Sequence, residues 1–312
     1  MTKAILALNN IPPTGLEQLE ADFKIIRLWQ EDDPESVIHK HCNDIVAIIS
    51  SYTRTVSRKL IEALPNLEII SNFAVGTDNI DLAAARERGV AVTNTPDILT
   101  GDTADTALAL LLCLARRVVE GDAYVRVGKW LNGPMPLGVC LAGKTVGIVG
   151  LGRIGQAIAD RATAFGMNVV YYGRQEKNVS FRFYPQLRDM AQDVDFLVLS
   201  CAGGCETKHI VDEAVLKALG PHGFLINVAR GSVVDEEALL VALRNKDIAG
   251  AALDVYDNEP HVPEALFSMD NVVLLPHIGS ATVETRGRMG QLVIDNILAY
   301  FNGEPLKTPV AA

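Results

Sequence analysis

Glycines at 150, 152 and 155 in "GIVGLGRIGQAIADRATAFG" fit the spacing G-x-G-x-x-G, and their flanks decide what that spacing can do. The apolar, strand-like run "TVGIVG" leads into the first glycine, and the amphipathic helix "IGQAIADRATAFG" leads away from the turn. At such a junction Gly150 permits a tight turn, Gly152 lets backbone approach a pyrophosphate, and Gly155 lets helix and strand pack closely. The helix's free N–H groups favour the anion. A dinucleotide-binding turn is expected, with Leu151, Arg153 and Ile154 inside it; the alternative is that the glycines serve only the turn.

The next strand ends "VVYYGRQEKN", and Gly173 stands where an acid would accept from the ribose 2′-hydroxyl of NAD. Arg174, Gln175 and Lys177 follow. A carboxylate repels a 2′-phosphate, whereas guanidinium and ammonium groups bind it, so NADP(H) is the expected cofactor and NAD(H) the alternative. Arg174 and Lys177 could also be ordinary solvated loop charges.

His277 follows "VVLLP" and precedes "IGS". Imidazole titrates nearest neutrality among ordinary side chains, so it can protonate a ketone oxygen as it becomes an alkoxide and recover the proton in reverse. A satisfied capping or core histidine is the competing account. His39, His41, His209, His222 and His261 have less complete surroundings. Cys42, Cys113, Cys140, Cys201 and Cys205 show no zinc-site spacing with histidine, so no metal is expected. The cysteines are expected to be reduced and partly buried, and Cys205 has no acid/base partner in sequence that would make it a nucleophile.

These residues must be carried by alternating strands and helices. "KAILALNN", "KIIRLWQ", "DIVAIIS", "LEIISNFA" and "VAVTNTP" read as strands, with helices in "TGLEQLEADF", "PESVIHKHC", "RKLIEALPN" and "DLAAARERG" between them. That alternation predicts a parallel sheet covered on both faces. "DTADTALALLLCLARRVVEGDAYVRVG" reads as one long helix, with Asp102 or Thr103 as cap, and "KWLNGPMPLGVCLAG" as irregular chain. From "KTVGIVG" a second α/β series runs through "NVVYYG", a short irregular stretch, "VDFLVLSCA", "GFLINVAR", "IAGAALDV" and "NVVLLPH", and the last helix is "TVETRGRMGQLVIDNILAYFNG".

A length of 312 residues with 49% apolar composition predicts two domains. The net charge of −10 gives nucleic acid or anionic lipid no general electrostatic hold. "ALALLLCLA" at 107–115 is too short for a bilayer span and ends at Arg116 and Arg117, which predicts buried helix and no membrane partner. "MTKAILALNN" lacks the parts of an export signal, and a cytoplasmic protein is expected.

Three further segments, "INVARGSVVDEEAL", "ALDVYDNEP" and "VLLPHIGSATVETR", together with "NFAVGTDNIDLAAARERGVAVTNTP", carry a resemblance. The chain resembles the D-isomer-specific 2-hydroxyacid dehydrogenase family over nearly its whole length, particularly its glyoxylate and hydroxypyruvate reductases. The resemblance implies an α/β fold of two domains, a doubly wound Rossmann cofactor domain at 99–286 inserted into a flavodoxin-like substrate domain at 1–98 plus 287–312. It implies a homodimer through the long helix and "RVGKWLNG", where Trp130 either reaches a substrate pocket or anchors irregular chain.

It also assigns roles. His277 is the implied acid/base, Glu259 its hydrogen-bonded partner, and Arg230 the grip on the substrate carboxylate, a task suited to a planar guanidinium. The N–H groups of Val75 and Gly76 complete that grip, and His277 also faces the substrate. Asp254 is the implied contact to the nicotinamide amide, with Thr103, Cys201, Ala202, Val228, Ala229 and Gly279 as further cofactor contacts; Ala202 replaces the family's commoner proline. The implied reaction is NADPH-dependent reduction of hydroxypyruvate and glyoxylate to D-glycerate and glycolate. Another 2-oxoacid (pyruvate, 2-ketogluconate or an arylpyruvate), NADH, or a cofactor-sensing role like that of the family's corepressors are the alternatives.

Overall fold

The computed structural model describes residues 3–11 and 16–310. The chain divides into two compact units, Met1–Leu99 with Thr282–Ala312, and Thr100–Ala281. No helix among the described residues is long and apolar enough to cross a membrane.

The first unit runs β1 (Ala4–Ala7), α1 (Leu16–Leu19), β2 (Lys24–Arg27), α2 (Pro34–His41), β3 (Ile45–Ser51), α3 (Arg58–Glu62), β4 (Ile69–Phe73), α4 (Leu82–Glu87) and β5 (Ala91–Thr93). Thr14 and Gly15, where the first helix was expected to open, lie outside the described residues. The sheet has the order β2-β1-β3-β4-β5, and every ladder is parallel. Parallel strands need crossovers, which explains the alternation with helices. The starts of α2, α3 and α4 are chemically marked: Asp33, Ser57 and Asp81 accept from the backbone N–H groups of Ser36, Leu60 and Ala84. On one face Leu6, Ile48, Ile70 and Val92 pack with Ile61 and Ala84.

The second unit runs α5 (Thr100–Arg116), α6 (Val118–Arg126), β6 (Thr145–Val149), α7 (Arg153–Ala164), β7 (Asn168–Tyr172), β8 (Arg182–Tyr184), α8 (Leu187–Asp193), β9 (Phe196–Leu199), α9 (Glu213–Leu219), β10 (Phe224–Asn227), α10 (Glu236–Asn245), β11 (Gly250–Leu253) and β12 (Val272–Leu274). Its sheet has the order β12-β11-β10-β9-β6-β7-β8, again parallel throughout. Strand residues alternate between two cores. Leu197, Leu199, Leu225 and Leu253 face α8, α9 and α10, whereas Phe196, Val198, Ile226 and Ala252 face α5 and α7. Each fully buried Leu or Ile in these layers contributes about 1.5–3 kcal/mol of transfer free energy. The chain then returns to the first unit as α11 (Val283–Phe301), capped by Thr282.

Three expectations differ from this arrangement. The single long helix is two, because Arg117 adopts a left-handed conformation (φ 55°) between α5 and α6. The Val139 N–H takes the Ala115 carbonyl at 2.6 Å, so that oxygen is spent on a crossing segment. Asp102 and Thr103 do not cap α5, which begins at Thr100 and has both residues within its first turn. The stretch after β7 is not wholly irregular, for it contains β8 and α8; their short lengths and mixed polarity gave no clear period.

Candidate active site

The glycine turn lies between β6 and α7 at the centre of the second sheet. Gly150 has φ 91°, and a Cβ there would come 2.6 Å from the Cys201 Cα. A Cβ on Gly155 would strike the Gly150 carbonyl. Gly152, the N-cap of α7, has no atom within 4 Å of where its Cβ would be, leaving open space beside the first turn of the helix. This geometry fits a pyrophosphate: two glycines are demanded by packing, and the third keeps clear the approach to free helix N–H groups. Leu151 is buried, Ile154 half-buried and Arg153 exposed.

Gly173 follows β7, and Arg174, Gln175 and Lys177 are exposed. The Arg174 side chain is 91% exposed, with a guanidinium nitrogen 3.8 Å from Glu206. Lys177 instead folds back, its Nζ donating to the Leu151 carbonyl in the glycine turn. Its backbone N–H donates to the Tyr171 hydroxyl at 2.7 Å. The basic loop is thereby tied to the glycine turn.

The neighbouring loop begins at half-buried Cys201 and exposed Ala202. The Thr207 hydroxyl donates to the Ala202 carbonyl at 2.7 Å. Burial pushes the Cys201 thiol up to about 11, away from reactive thiolate. Cys140 and Cys205 are exposed, which corrects the expectation that all five thiols are partly buried.

At the end of β11, buried Asp254 accepts from the N–H groups of Ile278 (2.7 Å) and Gly279 (2.8 Å). Burial raises its carboxyl above the usual carboxylate range, while those two donors oppose the shift. The Asp254 carbonyl also accepts from the His277 N–H at 2.9 Å. His277 is held at φ 54°, a conformation uncommon for a residue with a side chain. A Cβ on Gly279 would lie 2.9 Å from Asp254 Oδ2 and 3.6 Å from Thr103 Cγ2, so the 277–279 turn passes close to both.

His277 Nδ1 and Glu259 Oε2 are 2.7 Å apart, and the other carboxylate oxygen accepts from the Tyr256 N–H at 3.1 Å. Glu259 is therefore fixed through both oxygens, and through it the imidazole plane. Glu259 thus orients the ring through Nδ1.

Arg230 follows β10. Val228 and Ala229 are buried. The Asn227 side chain pins the turn, donating to the Arg230 carbonyl at 2.9 Å and accepting from the Ala229 N–H at 3.0 Å. Gly231 then packs so closely on the Tyr256–Asp257 peptide that any Cβ would overlap it. That contact sets the arginine turn beside the loop that carries Glu259. Glu236 adds a brace by accepting from the Asp257 N–H at 3.0 Å. Asn227, Gly231 and Glu236 escaped sequence reading, although a polar residue ending an apolar strand and a glycine directly after Arg230 were visible traces.

Val75 and Gly76 belong to the first unit, in the half-buried turn after β4. Trp130 is 69% exposed in the second.

The sequence pattern of the D-isomer-specific 2-hydroxyacid dehydrogenase NAD-binding domain matches residues 108–279. Glyoxylate/hydroxypyruvate reductase A of Arabidopsis thaliana is 50% identical over 294 residues, covering 94% of each chain. The chain belongs to the D-isomer-specific 2-hydroxyacid dehydrogenase family. It is an NAD(P)-dependent oxidoreductase of the 2-hydroxyacid class. Hydroxyphenylpyruvate reductase of Plectranthus scutellarioides is 47% identical, with 95% of this chain and 96% of that one covered. An NADPH-dependent glyoxylate/hydroxypyruvate reductase of Sinorhizobium meliloti, solved with NADP and malonate, superposes with a TM-score of 0.94 at 45% identity, covering 100% of this chain and 97% of the other. In a dehydrogenase of this class, the His277–Glu259 pair is chemically suited to moving a proton and Arg230 to holding an anion.

Proposed function

We propose that this dehydrogenase reduces glyoxylate and hydroxypyruvate with NADPH, giving glycolate and D-glycerate. The observation that carries the reading is the 2.7 Å contact of His277 with a Glu259 carboxylate that Tyr256 holds from its other side. The bound nicotinamide coenzyme supplies the hydride. Arg230 and the N–H groups of Val75 and Gly76 bind the carboxylate, and the guanidinium stabilises negative charge growing on the carbonyl oxygen. His277 Nε2 gives that oxygen its proton, and Glu259 stabilises the imidazolium beforehand. The Gly150–Gly155 turn binds pyrophosphate, and Asp254, Thr103 and Gly279 border the nicotinamide. Backbone at Val228 and Ala229 and the Cys201–Ala202 loop complete the coenzyme contacts. Arg174, assisted by Lys177 once it leaves Leu151, binds the 2′-phosphate.

The strand orders support a flavodoxin-like substrate domain in the first unit and a doubly wound dinucleotide domain in the second. Exposed Val118, Val119, Val125, Val127, Trp130 and Leu131 favour a homodimer through this part of the second unit. An arylpyruvate is the second reading, favoured by the 47% identity to a hydroxyphenylpyruvate reductase.

Initial rates with NADPH and NADH, each against glyoxylate, hydroxypyruvate, pyruvate, 2-ketogluconate and hydroxyphenylpyruvate, test the assignment. Highest kcat/KM for NADPH with the first two is expected. A higher value for hydroxyphenylpyruvate selects the second reading, and coenzyme binding without turnover overturns both.

A further inference from the structure

Three consecutive carbonyls in the turn after β4 are each held by a different donor. The Thr95 N–H donates to Ala74 O at 2.9 Å, Asn94 Nδ2 to Val75 O at 2.8 Å, and Asn72 Nδ2 to Gly76 O at 2.8 Å. A trans peptide sets its N–H antiparallel to its C=O. Holding these carbonyls therefore turns the N–H groups of Val75, Gly76 and Thr77 away from the three donors.

The two carboxamides are themselves fixed. Asn72 is fully buried, and its Oδ1 accepts from Ser50 Oγ at 2.9 Å, so its amide nitrogen must face Gly76. Asn94 is gripped through its backbone: its N–H donates to the Thr308 carbonyl at 3.3 Å, and its carbonyl accepts from Thr308 Oγ1 at 2.6 Å. Thr308 in turn is tied to buried Asn296, whose Nδ2 donates to Thr308 Oγ1 at 2.9 Å. A chain of buried and half-buried polar groups, costly to build unless satisfied, ends on the carbonyls of one short turn.

We infer that Asn72 and Asn94 are positioning residues that aim the N–H groups of Val75, Gly76 and Thr77 at the substrate carboxylate, with Thr77 as a third donor. The inference rests on the carboxylate-binding reading of Val75 and Gly76 above. Preset successive N–H groups suit a small anion. A flipped peptide would put a carbonyl oxygen where a donor stood, turning attraction into repulsion.

Asn94→Asp keeps the side chain's shape but places an acceptor against Val75 O. The measurement is initial-rate kinetics with glyoxylate at saturating NADPH, together with NADPH affinity by fluorescence titration. KM is expected to rise about tenfold with kcat changed less than about threefold, the scale of one lost charge-assisted hydrogen bond. NADPH affinity should match the parent's. The variant's KM should also approach the parent's as pH falls, because the introduced carboxyl donates again once it is protonated, and a merely structural defect would not recover in this way. If Asn94→Asp does not fold, Asn94→Ala is read by the same KM and kcat criteria. A KM within about twofold of the parent, or a loss confined to kcat, overturns the positioning role. A parent protein that turns over no 2-oxoacid overturns the reductase reading and this inference with it.

Discussion

The second unit contains two functional regions built on opposite principles. Around His277 nearly every polar atom has an assigned partner: Glu259 is held by Tyr256, Asp254 by two backbone donors, and the Arg230 turn by Asn227. Around Arg174 the guanidinium stands in water, with the Glu206 carboxylate 3.8 Å away, and of its loop neighbours Lys177 is tied back to the Leu151 carbonyl. The first region is preorganised, so it has little reorganisation left to do when charge develops. On the proposed reading, the second has its charge screened by solvent until a 2′-phosphate arrives, which would make it a means of selection rather than of rate.

The contrast is broken most sharply at His277. His277→Ala removes the proposed proton donor and should lower kcat by about 10²- to 10⁴-fold, the usual contribution of positioned acid/base catalysis, while NADPH affinity stays near the parent value. Stopped-flow turnover and fluorescence titration measure the two separately. Equal losses in both, with the fold intact, would move His277 from chemistry to coenzyme binding.

Gly231→Ala attacks the same region through packing. A Cβ there overlaps the Tyr256–Asp257 peptide, so either the arginine turn or the Glu259 loop must move. The cost should be about 1–3 kcal/mol, the range for overpacked sites, seen as a fall in Tm with a reduced kcat. An unchanged Tm would show that the loop yields freely and that the region is less rigid than its hydrogen bonds imply.

How far these regions could be read in advance follows from the same contrast. The glycine turn was legible because Gly150 and Gly155 answer to a local rule of strand, turn and helix that leaves a fixed spacing. The pairing of Glu259 with His277 came through resemblance, and the structure brings the two together at 2.7 Å. Asn227 and Gly231 were not, since their partners are backbone groups, at Ala229 and Arg230 for the first and at Tyr256 and Asp257 for the second, and backbone leaves no residue-type trace. The break at Arg117 was hidden for a similar reason: Val139 donates its N–H to Ala115, and any residue could have done so. Short apolar runs revealed most strands, including the three-residue edge strands β5 and β12, but β8 opens on exposed Arg182 and carries no such run.

The solvent-exposed region should respond in selectivity and not in rate constant. Arg174→Asp replaces the proposed phosphate partner with a repelling carboxylate and should lower the NADPH-to-NADH ratio of kcat/KM by about tenfold or more. Most of that change should sit in the KM for NADPH, and raising ionic strength should shrink the difference. An unchanged ratio would remove Arg174 from coenzyme selection. Lys177→Ala, which also releases Leu151 O, would then show whether the tied residue does the selecting.

Cys201 lies beside the glycine turn and gives the smallest but most local reading of the boundary between the regions. Its thiol is pushed by burial from an ordinary value of 9.0 to about 11. In the folded protein it therefore keeps its proton at pH values where the unfolded chain has lost it. The resulting contribution to stability is fully present below pH 9.0 and is lost as pH rises through about 11. At pH 8, a limiting alkylating reagent followed by peptide mapping should label exposed Cys140 and Cys205 well before Cys201. Cys201→Ser should flatten part of the alkaline fall in Tm, because a serine hydroxyl does not ionise in that range. If Cys201 is labelled as fast as Cys205, the strand end at Gly150 opens to solvent on the labelling timescale. Preorganisation would then begin at Asp254 and Arg230, and the glycine turn would belong with the Arg174 loop among the parts that settle only around the coenzyme.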